Sequence, residues 1–496
     1  MLAEAVDLDE PPSMKITVHD FKSNARSALA DTQLQEALSG LPTGLVAQRA
    51  AARARLPEFD ELRDYGRDLR NHTLEHLDVY LERYEAQVRQ AGGHVHWAKT
   101  PAEACDTILK ICKDADARLV TKGKSMVSEE IGLNDKLEAE GLEVVETDLG
   151  EYILQIRHET PSHIIAPAIH LTQSQVEQDF RREHDHLAKD RKLVEPAELV
   201  DEARQILREK FVNADVGITG ANFLIAETGS SIIVTNEGNG DLTQSLAKTH
   251  IVITAIDKVV PTLDDASALL RLLARSATGQ EFTSYTTFST GPRRPGDPDG
   301  PENYHVVLLD NGRSEILGSE FREVLRCIRC GACMNHCPVY NAVGGHAYGW
   351  VYPGPIGAAL NPGLIGIDEA GNLPNASTFC GRCESVCPMR IPLPKLMRQW
   401  REIEFEKGNP PLVVRMALRG WATMANWPWA YHLFSRMMSR AMKLAAGRKG
   451  AFSWLPMASG WTKHRDFPAP QGKTFQELWA ERQRAAGQIA TQGKTS

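Results

Sequence analysis

Seven of the nine cysteines in this 496-residue chain lie in two short runs. The first run reads Cys327-Ile-Arg-Cys330-Gly-Ala-Cys333-Met-Asn-His-Cys337-Pro338, and the second reads Cys380-Gly-Arg-Cys383-Glu-Ser-Val-Cys387-Pro388. The first run has the cysteine spacing and the closing proline of bacterial ferredoxins. Thiolates three residues apart on a tight loop can reach the irons of one cubane. The two runs therefore predict two iron–sulfur clusters.

The same pattern assigns the ligands, because the last cysteine of each run binds the other cluster in two-cluster ferredoxins. The first cluster then takes Cys327, Cys330, Cys333 and the distant Cys387, and the second takes Cys337, Cys380 and Cys383. Ser377 stands where a complete second run would have its first cysteine. The favoured form is two [4Fe-4S] clusters, the second completed by Ser377, water or a partner's group. A [3Fe-4S] second cluster is the alternative.

Zinc is the other metal to consider, since paired C-x2-C motifs also build tetrahedral zinc sites. Seven clustered cysteines divide poorly into sets of four, and a proline follows the last cysteine of both runs. These two features favour iron–sulfur clusters. The remaining pair, Cys105 and Cys112, is seven residues apart on a predicted helix and is expected in the core.

Composition describes an ordinary soluble protein of two or three domains, with 42% hydrophobic and 24% charged residues. Because most cysteines belong to one cluster of motifs, disulfides are not expected and a reducing compartment is. The N-terminus is acidic and has no apolar core, so it does not resemble a signal peptide. No run of 18 apolar residues offers a membrane span. The predicted location is the cytoplasm.

Charge is distributed unevenly along the chain. Residues 408–496 contain 13 Lys or Arg but only 3 Asp or Glu, whereas the whole chain has a net charge of −8. Eight of the nine tryptophans lie at or beyond Trp350. A basic tail rich in Trp and Met on an acidic body predicts docking to a partner protein, with peripheral contact to an anionic membrane as a second option. Nucleic acid is not an expected partner.

The cysteine runs follow a region with the pattern of an α/β domain. Helical segments alternate with short apolar strands near 119–121, 144–146, 163–166, 216–218, 223–226, 231–235 and 251–253. This alternation predicts a layered α/β domain with a largely parallel sheet, whose edge is closed by strands near 282–288 and 305–309. The predicted division is an N-terminal helical region (1–100), the α/β domain (101–312), an α-helical ferredoxin-like module (313–400) and the C-terminal region (401–496).

Three polar, Gly-containing stretches follow predicted strands. They read Thr121-Lys-Gly-Lys-Ser125, Glu227-Thr-Gly-Ser230 and Asn236-Glu-Gly-Asn-Gly240. Ligands bind at the carboxyl ends of strands in open α/β sheets, so Lys122, Ser125, Glu227 and Asn236 are candidate pocket residues. The alternative is tight-turn chemistry without a ligand. No complete G-x-G-x-x-G occurs, which argues against a nicotinamide cofactor.

Several phrases outside the cysteine runs resemble the lactate utilization protein B family, iron–sulfur proteins of bacterial L-lactate oxidation. The phrases are Lys122-Gly-Lys-Ser-Met126, Glu146-Thr-Asp-Leu-Gly-Glu-Tyr152, Gly217-Ile-Thr-Gly-Ala-Asn222, Asn236-Glu-Gly-Asn239 and Tyr352-Pro-Gly-Pro-Ile-Gly357. The resemblance extends over nearly the whole chain. It implies that the α/β domain is a lactate-utilization domain related in fold to sugar-phosphate isomerases and coenzyme A transferases, followed by a dicluster module.

The resemblance also implies a function and partners. The chain would act with two other subunits, a cysteine-rich iron–sulfur protein and a smaller protein with the same lactate-utilization domain, to oxidise L-lactate to pyruvate. The leading hypothesis is an iron–sulfur electron-transfer subunit. The alternatives are a catalytic subunit that binds the organic acid in the α/β pocket, and a regulatory or scaffolding iron–sulfur protein.

Overall fold

The structure, a computed structural model, describes residues 16–455, 459–462 and 465–492. The first 15 residues, on which the prediction of no signal peptide rests, lie outside these ranges. The chain forms two compact units, Met1–Glu406 and Lys407–Ser496. Within the described ranges, every helix is too short or too polar to cross a bilayer.

The first unit begins with five helices. They are α1 (Phe21–Ala30), α2 (Thr32–Ser39), α3 (Ala47–Ala54), α4 (Phe59–Glu75) and α5 (Leu77–Gln90). Apolar residues at helical spacing bury one face of each of the last two, for example Leu81, Tyr84 and Val88 of α5. The face of α5 packs on the central sheet, while the apolar residues of α4 enter the core that also contains cysteines of both runs.

Ten strands follow within the α/β domain. They are β1 (His94–Ala98), β2 (Leu119–Lys122), β3 (Glu143–Glu146), β4 (Val216–Thr219), β5 (Phe223–Ile225), β6 (Ser230–Thr235), β7 (Thr249–Ala255), β8 (Val259–Val260), β9 (Tyr285–Ser289) and β10 (Asn303–Leu309). Six of them form one all-parallel sheet in the order β1-β10-β7-β4-β2-β3. Its central strand β7 is buried along its whole length because helices cover both faces of the sheet. The predicted α/β class with a parallel sheet is confirmed.

Eight helices belong to this domain. They are α6 (Pro101–Asp114), α7 (Met126–Glu130), α8 (Leu133–Ala139), α9 (Leu149–Arg157), α10 (Gln173–Glu183), α11 (Pro196–Asn213), α12 (Asn239–Ser245) and α13 (Leu263–Ala277). Side-chain caps fix where several of them begin. Ser125 accepts a hydrogen bond at the start of α7, and Asp148 accepts two at the start of α9. Both residues follow strands of the sheet, so the caps set the direction of the chain at the sheet's carboxyl edge.

A second, smaller sheet has the order β8-β5-β6-β9 and contains antiparallel pairs. Two sequence predictions about strands are wrong: the segments near 282–288 and 305–309 do not close the edge of the parallel sheet, and 163–166 is not a strand. Segment 285–289 belongs to this second sheet, and β10 lies inside the parallel sheet between β1 and β7 instead of closing its edge. Strand β1 pairs with β10, so the sheet begins before residue 101. Segment 163–166 is bent, because the Nδ1 atom of His163 accepts hydrogen bonds from the backbone of Ile165 and Ala166.

The cysteine module is built from short helices. They are α14 (Arg313–Leu317), α15 (Ala332–Asn335), α16 (Pro338–Val343), α17 (Gly354–Leu364), α18 (Ile367–Ala370), α19 (Arg382–Val386) and α20 (Leu393–Lys407). Its apolar residues share one core with α4 and α13, and this core includes Cys330, Cys337, Cys383 and Cys387. The cysteine loops are thus enclosed by the N-terminal helices and the α/β domain as well as by their own module.

The second unit contains α21 (Leu412–Ala425), α22 (Pro428–Ala446), α23 (Ser459–Thr462), α24 (Phe475–Gln492) and the antiparallel pair β11 (Ala451–Phe452) and β12 (Phe467–Pro468). Many large apolar side chains on α21 and α22 are exposed, with Trp421 at 58% and Trp429 at 69%. The sequence suggests a loosely ordered segment over 466–496, but most of its described part is the helix α24.

A buried ion pair joins the α/β domain to the cysteine module. Arg313 donates from both terminal nitrogens to the carboxylate of Glu130, at 2.9 and 2.7 Å. Tyr352 donates to the same carboxylate at 2.6 Å, and Asn311 donates to it as well. Both members of the pair are fully buried, and Arg313 lowers the pKa of Glu130 against the opposing effect of burial. Removing Glu130 would leave Arg313 with only Asp257, at 3.2 Å, to compensate its buried charge.

We expect Glu130→Gln to lower the free energy of unfolding by about 3–5 kcal/mol, because Arg313 loses its bidentate partner in a buried site. Urea unfolding followed by circular dichroism would measure the loss. Lys110→Ala is the control, since Lys110 pairs with Asp114 on an exposed helix face. An unfolding midpoint for Glu130→Gln equal to that of the control would contradict the assigned role of the pair.

Candidate metal centre

The first cysteine run is a loop followed by a short helix. Arg329 and Gly331 flank Cys330 with positive φ angles of 58° and 70°. The left-handed turn at Gly331 also brings the backbone close to His163, because an added Cβ would lie 3.2 Å from the ring. The turn leads into α15, and Pro338 then starts α16 directly after Cys337. The run is therefore a tight loop followed directly by two short helices.

The second run repeats this local structure. Phe379 and Gly381 flank Cys380 with φ angles of 52° and 76°, and α19 follows. In the first run the backbone N–H of Arg329 donates to the sulfur of Cys327 at 3.4 Å. In the second run the N–H of Phe379 donates to the hydroxyl oxygen of Ser377 at 3.1 Å. The Ser377 oxygen therefore takes the place in its loop that the Cys327 sulfur takes in the other.

Four cysteines from both runs meet at one small cavity. Cys327, Cys330, Cys333 and Cys387 line it together with apolar side chains that include Ile164, Ile356 and Met389. Burial raises the pKa of Cys330 to about 12, and the neighbouring thiols add to the effect. Thiols this close in an apolar setting are unfavourable as thiolates unless a metal compensates their charge. These are the four residues assigned to the first cluster from the sequence.

The other three cysteines are also neighbours. Cys337 interacts electrostatically with Cys380, and Cys383 interacts with both. Burial raises the pKa of Cys383 to about 12, whereas the backbone of Arg382 and the side chain of Thr378 lower the pKa of the exposed Cys380 through hydrogen bonds. Cys333 of the first set interacts with Cys383 of the second, so the two sets adjoin.

The donor set suits iron–sulfur clusters. It consists of thiols arranged in two adjoining groups within an apolar core. A buried tyrosine supports the same fit. The hydroxyl of Tyr348 has no hydrogen-bond partner among the described residues, although its electrostatic neighbours are Cys333, Cys337 and Cys383. A buried hydroxyl needs an acceptor, and a cluster held by these cysteines would supply sulfur at that point.

Three buried arginines of the N-terminal helices contact the loops that flank the cysteines. Arg63 donates to the carbonyl of Cys387 at 2.7 Å and to that of Ser385 at 2.9 Å. Arg49 donates to Val386, and Arg70 donates to Leu325. The sequence alone indicates no chemistry for this region. The available signal was the spacing of Arg63 and Arg70, two turns apart on the apolar face of one helix.

A lysine connects the α/β domain to the first run. The ammonium group of Lys258 donates to the carbonyl of Cys327 at 2.9 Å and to Asp257 at 2.8 Å. Burial lowers the pKa of Lys258 to about 8, although Asp257 acts in the opposite direction. Asp257 also lies 3.2 Å from Arg313, the partner of Glu130. One chain of buried charges therefore runs from the domain junction to the cysteine loop.

A cavity of about 490 Å³ opens beside this lysine at the carboxyl ends of the strands. Its polar lining includes Lys124, Asp148, Lys258 and Arg329, and much of its wall is apolar. Ile164, Ile328 and Arg329 line both this cavity and the one formed by the first four cysteines. These three side chains form a common wall between the two cavities. We call the larger space the α/β cavity.

Of the four candidate pocket residues, two line the α/β cavity and two do not. Ser125 and Asn236 line the α/β cavity. Lys122 does not, because it is buried and its ammonium group contacts Glu129 at 2.5 Å and Glu146 at 2.7 Å. Glu227 is exposed and accepts a hydrogen bond from the backbone of Leu263 at the start of α13. The cations at the cavity are Lys124, Lys258 and Arg329. Lys124 belongs to the first of the three stretches that the sequence indicates as anion-binding, whereas the sequence does not indicate Lys258 or Arg329.

Three protein-family profiles match the chain. The LUD domain matches residues 81–309, the 4Fe-4S dicluster domain matches residues 323–391, and the C-terminal domain of lactate utilisation protein B matches residues 389–484. The dicluster match contains all seven clustered cysteines. The C-terminal match includes most of the second unit.

Relatives match over nearly the full length. The chain is 44% identical to lactate utilization protein B of Bacillus licheniformis, with 96% of this chain and 99% of the relative covered. It is 43% identical to the proteins of the same name from Bacillus cytotoxicus, with 95% and 98% covered, and Bacillus velezensis, with 96% and 100% covered. A crystal structure of a DUF162 family protein from Deinococcus radiodurans matches at 17% identity and a TM-score of 0.25, covering 47% of this chain and 98% of that chain.

The equivalence of Ser377 and Cys327 generates a prediction about iron content. We expect Ser377→Ala to reduce anaerobically purified protein from about eight irons per chain to about seven, with an oxidised-state signal in electron paramagnetic resonance (EPR). Ser377→Cys should retain about eight irons, because it restores the missing thiol.

Ser385→Ala is the matched control. Ser385 lies in the same run and near Cys380, but its hydroxyl donates to the carbonyl of Arg382. About seven irons already in the unmodified protein, or no change of spectrum in Ser377→Ala, would show that Ser377 is not a ligand.

Proposed function

The chain belongs to the lactate utilization protein B family, so it has a role in lactate utilization and binds iron–sulfur clusters. We propose that it is the electron-transfer subunit of a complex that oxidises L-lactate to pyruvate. One observation carries the proposal. The helices that contain Cys333 and Cys383, α15 and α19, pack against each other within a single compact unit, so the two sets of thiols adjoin. Clusters held there would be close enough to exchange electrons with each other.

The proposed ligand assignment follows the geometry of the loops. Cys327, Cys330, Cys333 and Cys387 hold the first cluster. Cys337, Cys380 and Cys383 hold the second, with the Ser377 oxygen as fourth ligand. Both are assigned as [4Fe-4S], and a [3Fe-4S] second cluster is the alternative that the iron count decides.

Oxidation of L-lactate to pyruvate releases two electrons and two protons. When bound, the clusters supply one-electron transfer, so two of them can take up both electrons in turn. The residues of the chain position the loops and control their surroundings. Arg63 and Lys258 hold the carbonyls of Cys387 and Cys327, and their positive charge favours the added negative charge of a reduced cluster.

The proposed setting is a cytoplasmic complex with two further subunits, a cysteine-rich iron–sulfur protein and a smaller protein with a lactate-utilization domain. The second unit supports a protein partner, because it exposes tryptophans beside basic residues and has few acidic ones. Peripheral contact with an anionic membrane is the other role such a surface could serve. We also propose that the α/β domain shares the fold of sugar-phosphate isomerases and coenzyme A transferases, which superposition of an experimental structure would test.

We expect Cys330→Ala to remove about four irons per chain, because it deletes a ligand of the first cluster. Addition of L-lactate to the assembled complex should then fail to produce the reduced-state EPR signals seen with the unmodified chain, and growth on lactate should stop. Cys112→Ala is the control, since Cys112 is a buried cysteine of α6 outside both runs.

Two other outcomes would replace the proposal. Normal growth on lactate with iron-depleted Cys330→Ala protein would indicate a regulatory or scaffolding role. Zinc in place of iron in the purified chain would contradict any role in electron transfer.

For the second unit, we expect the double substitution Trp421→Glu and Trp429→Glu to weaken assembly with the partner subunits by at least about tenfold, because exposed tryptophans often dominate interface energies. Size-exclusion chromatography of the co-expressed subunits would measure it. Trp97→Glu is the control, since Trp97 is an exposed tryptophan of β1 in the first unit. Unchanged assembly of the double variant would exclude this surface as the docking site.

A further inference from the structure

We propose that the α/β cavity binds an organic monocarboxylate, with Arg329 as the residue that receives the carboxylate group. The inference goes beyond electron transfer and depends on the proposed function only for the choice of test acids. It assigns this chain a small-molecule site next to the first set of cysteines.

Among the described residues, Arg329 is the only cation lining the cavity that forms no ion pair, although Asp257 acts on it electrostatically from a greater distance. Lys124 lies 3.5 Å from Asp148, and Lys258 donates to Asp257. No carboxylate lies within 4.0 Å of the Arg329 guanidinium in the described part of the chain, and its buried Nη1 atom has no hydrogen-bond partner there. A buried guanidinium donor without an acceptor is costly, so the site favours an anionic ligand.

The position of Arg329 is fixed by its surroundings. Its backbone is in the left-handed region, which is uncommon for a residue with a side chain. Its guanidinium carbon lies 4.3 Å from the ring centre of Tyr352, and the Tyr352 hydroxyl is itself held by Glu130. A stacked, pre-oriented guanidinium loses little freedom on binding and presents paired donors that match a carboxylate.

The remainder of the cavity defines the class of acid. Two of its three cations are already paired, and Glu237 adds a second carboxylate to the lining beside Asp148, so the cavity suits one negative charge better than the two of a phosphate. Ile165, Ile233, Leu273 and Ala277 contribute apolar wall. A volume of about 490 Å³ exceeds the needs of a three-carbon acid, so the cavity should also accept homologues with longer alkyl chains.

Arg329 also links the cavity to the cysteines. It stands between Cys327 and Cys330 in the chain, and it lines both cavities. An acid bound at its guanidinium would change the electric field at the first cluster. Binding should therefore be visible in two independent ways, as heat of binding and as a change in the spectrum of that cluster.

The test is isothermal titration calorimetry of the complete chain with its clusters, using L-lactate, 2-hydroxyhexanoate, lactamide and inorganic phosphate. We expect both hydroxy acids to bind saturably and the uncharged lactamide and phosphate to bind at least about tenfold more weakly. Arg329→Gln should weaken binding of the acids by about 10- to 100-fold, and Arg329→Lys should restore part of it. In the unmodified chain, L-lactate should also shift the EPR signal of the first cluster.

Arg382→Gln is the matched control, because Arg382 directly precedes Cys383 as Arg329 precedes Cys330 but lines the pocket beside Cys380. It should bind the acids normally. Ala277→Leu offers a second variant if Arg329→Gln fails to load its clusters, since the added volume fills the cavity from α13 without touching a cysteine loop. It should abolish binding and retain both cluster signals.

Three outcomes would overturn the inference: no saturable binding of either acid, equal binding of lactamide or phosphate, or equal losses in Arg329→Gln and Arg382→Gln. Each can occur in a chain whose clusters are intact and reduced normally, so the proposed electron-transfer role would survive. Loss of that role with normal acid binding would show the reverse.

Discussion

The structure depends on buried cations that hold the backbone of the cysteine loops. These loops are irregular, so their carbonyls lack the partners that a helix or sheet would provide. Arg63, Arg70 and Lys258 donate to the carbonyls of Cys387, Leu325 and Cys327. A buried cation needs hydrogen-bond acceptors, and a buried carbonyl needs a donor. The cations and the loop carbonyls therefore satisfy each other. Because the cations come from the N-terminal helices and the α/β domain, the structure of the cysteine module depends on both of these regions.

Local patterns in the sequence predicted what depends on local structure. The spacing of the cysteines identified both runs, and short apolar segments identified four of the six strands of the parallel sheet, β2, β3, β4 and β7. Positions that depend on tertiary contacts could not be predicted in this way. The His163 segment is apolar like a strand but is bent by its own histidine. Lys122 ends a strand, where ligand-binding residues are expected, but Glu129 and Glu146 pair with its ammonium group. Burial raises the need for such partners, and only the fold shows where they are.

The two cysteine runs form loops with similar backbones but different surroundings. Both have left-handed residues on either side of a cysteine, a short helix and a closing Cys-Pro. The first loop lies against the α/β cavity and is mostly enclosed, whereas the second leaves Cys380 exposed. Replacement of a thiol by the Ser377 hydroxyl occurs in the exposed loop. Because solvent exposure affects the potential of a cluster, clusters held by these two loops would be unequal although the two backbones are nearly the same.

The α/β cavity, the first group of cysteines and the second group of cysteines adjoin one another in that order within the first unit. The α/β cavity shares Arg329 with the first group of cysteines, and that group adjoins the second through Cys333 and Cys383. The second group reaches the surface at Cys380. An acid in the cavity would therefore lie at the enclosed end of the series and a redox partner at its exposed end. Charge introduced at the enclosed end acts in a setting of low polarity, where it influences the first cluster more strongly than surface charge would influence the second.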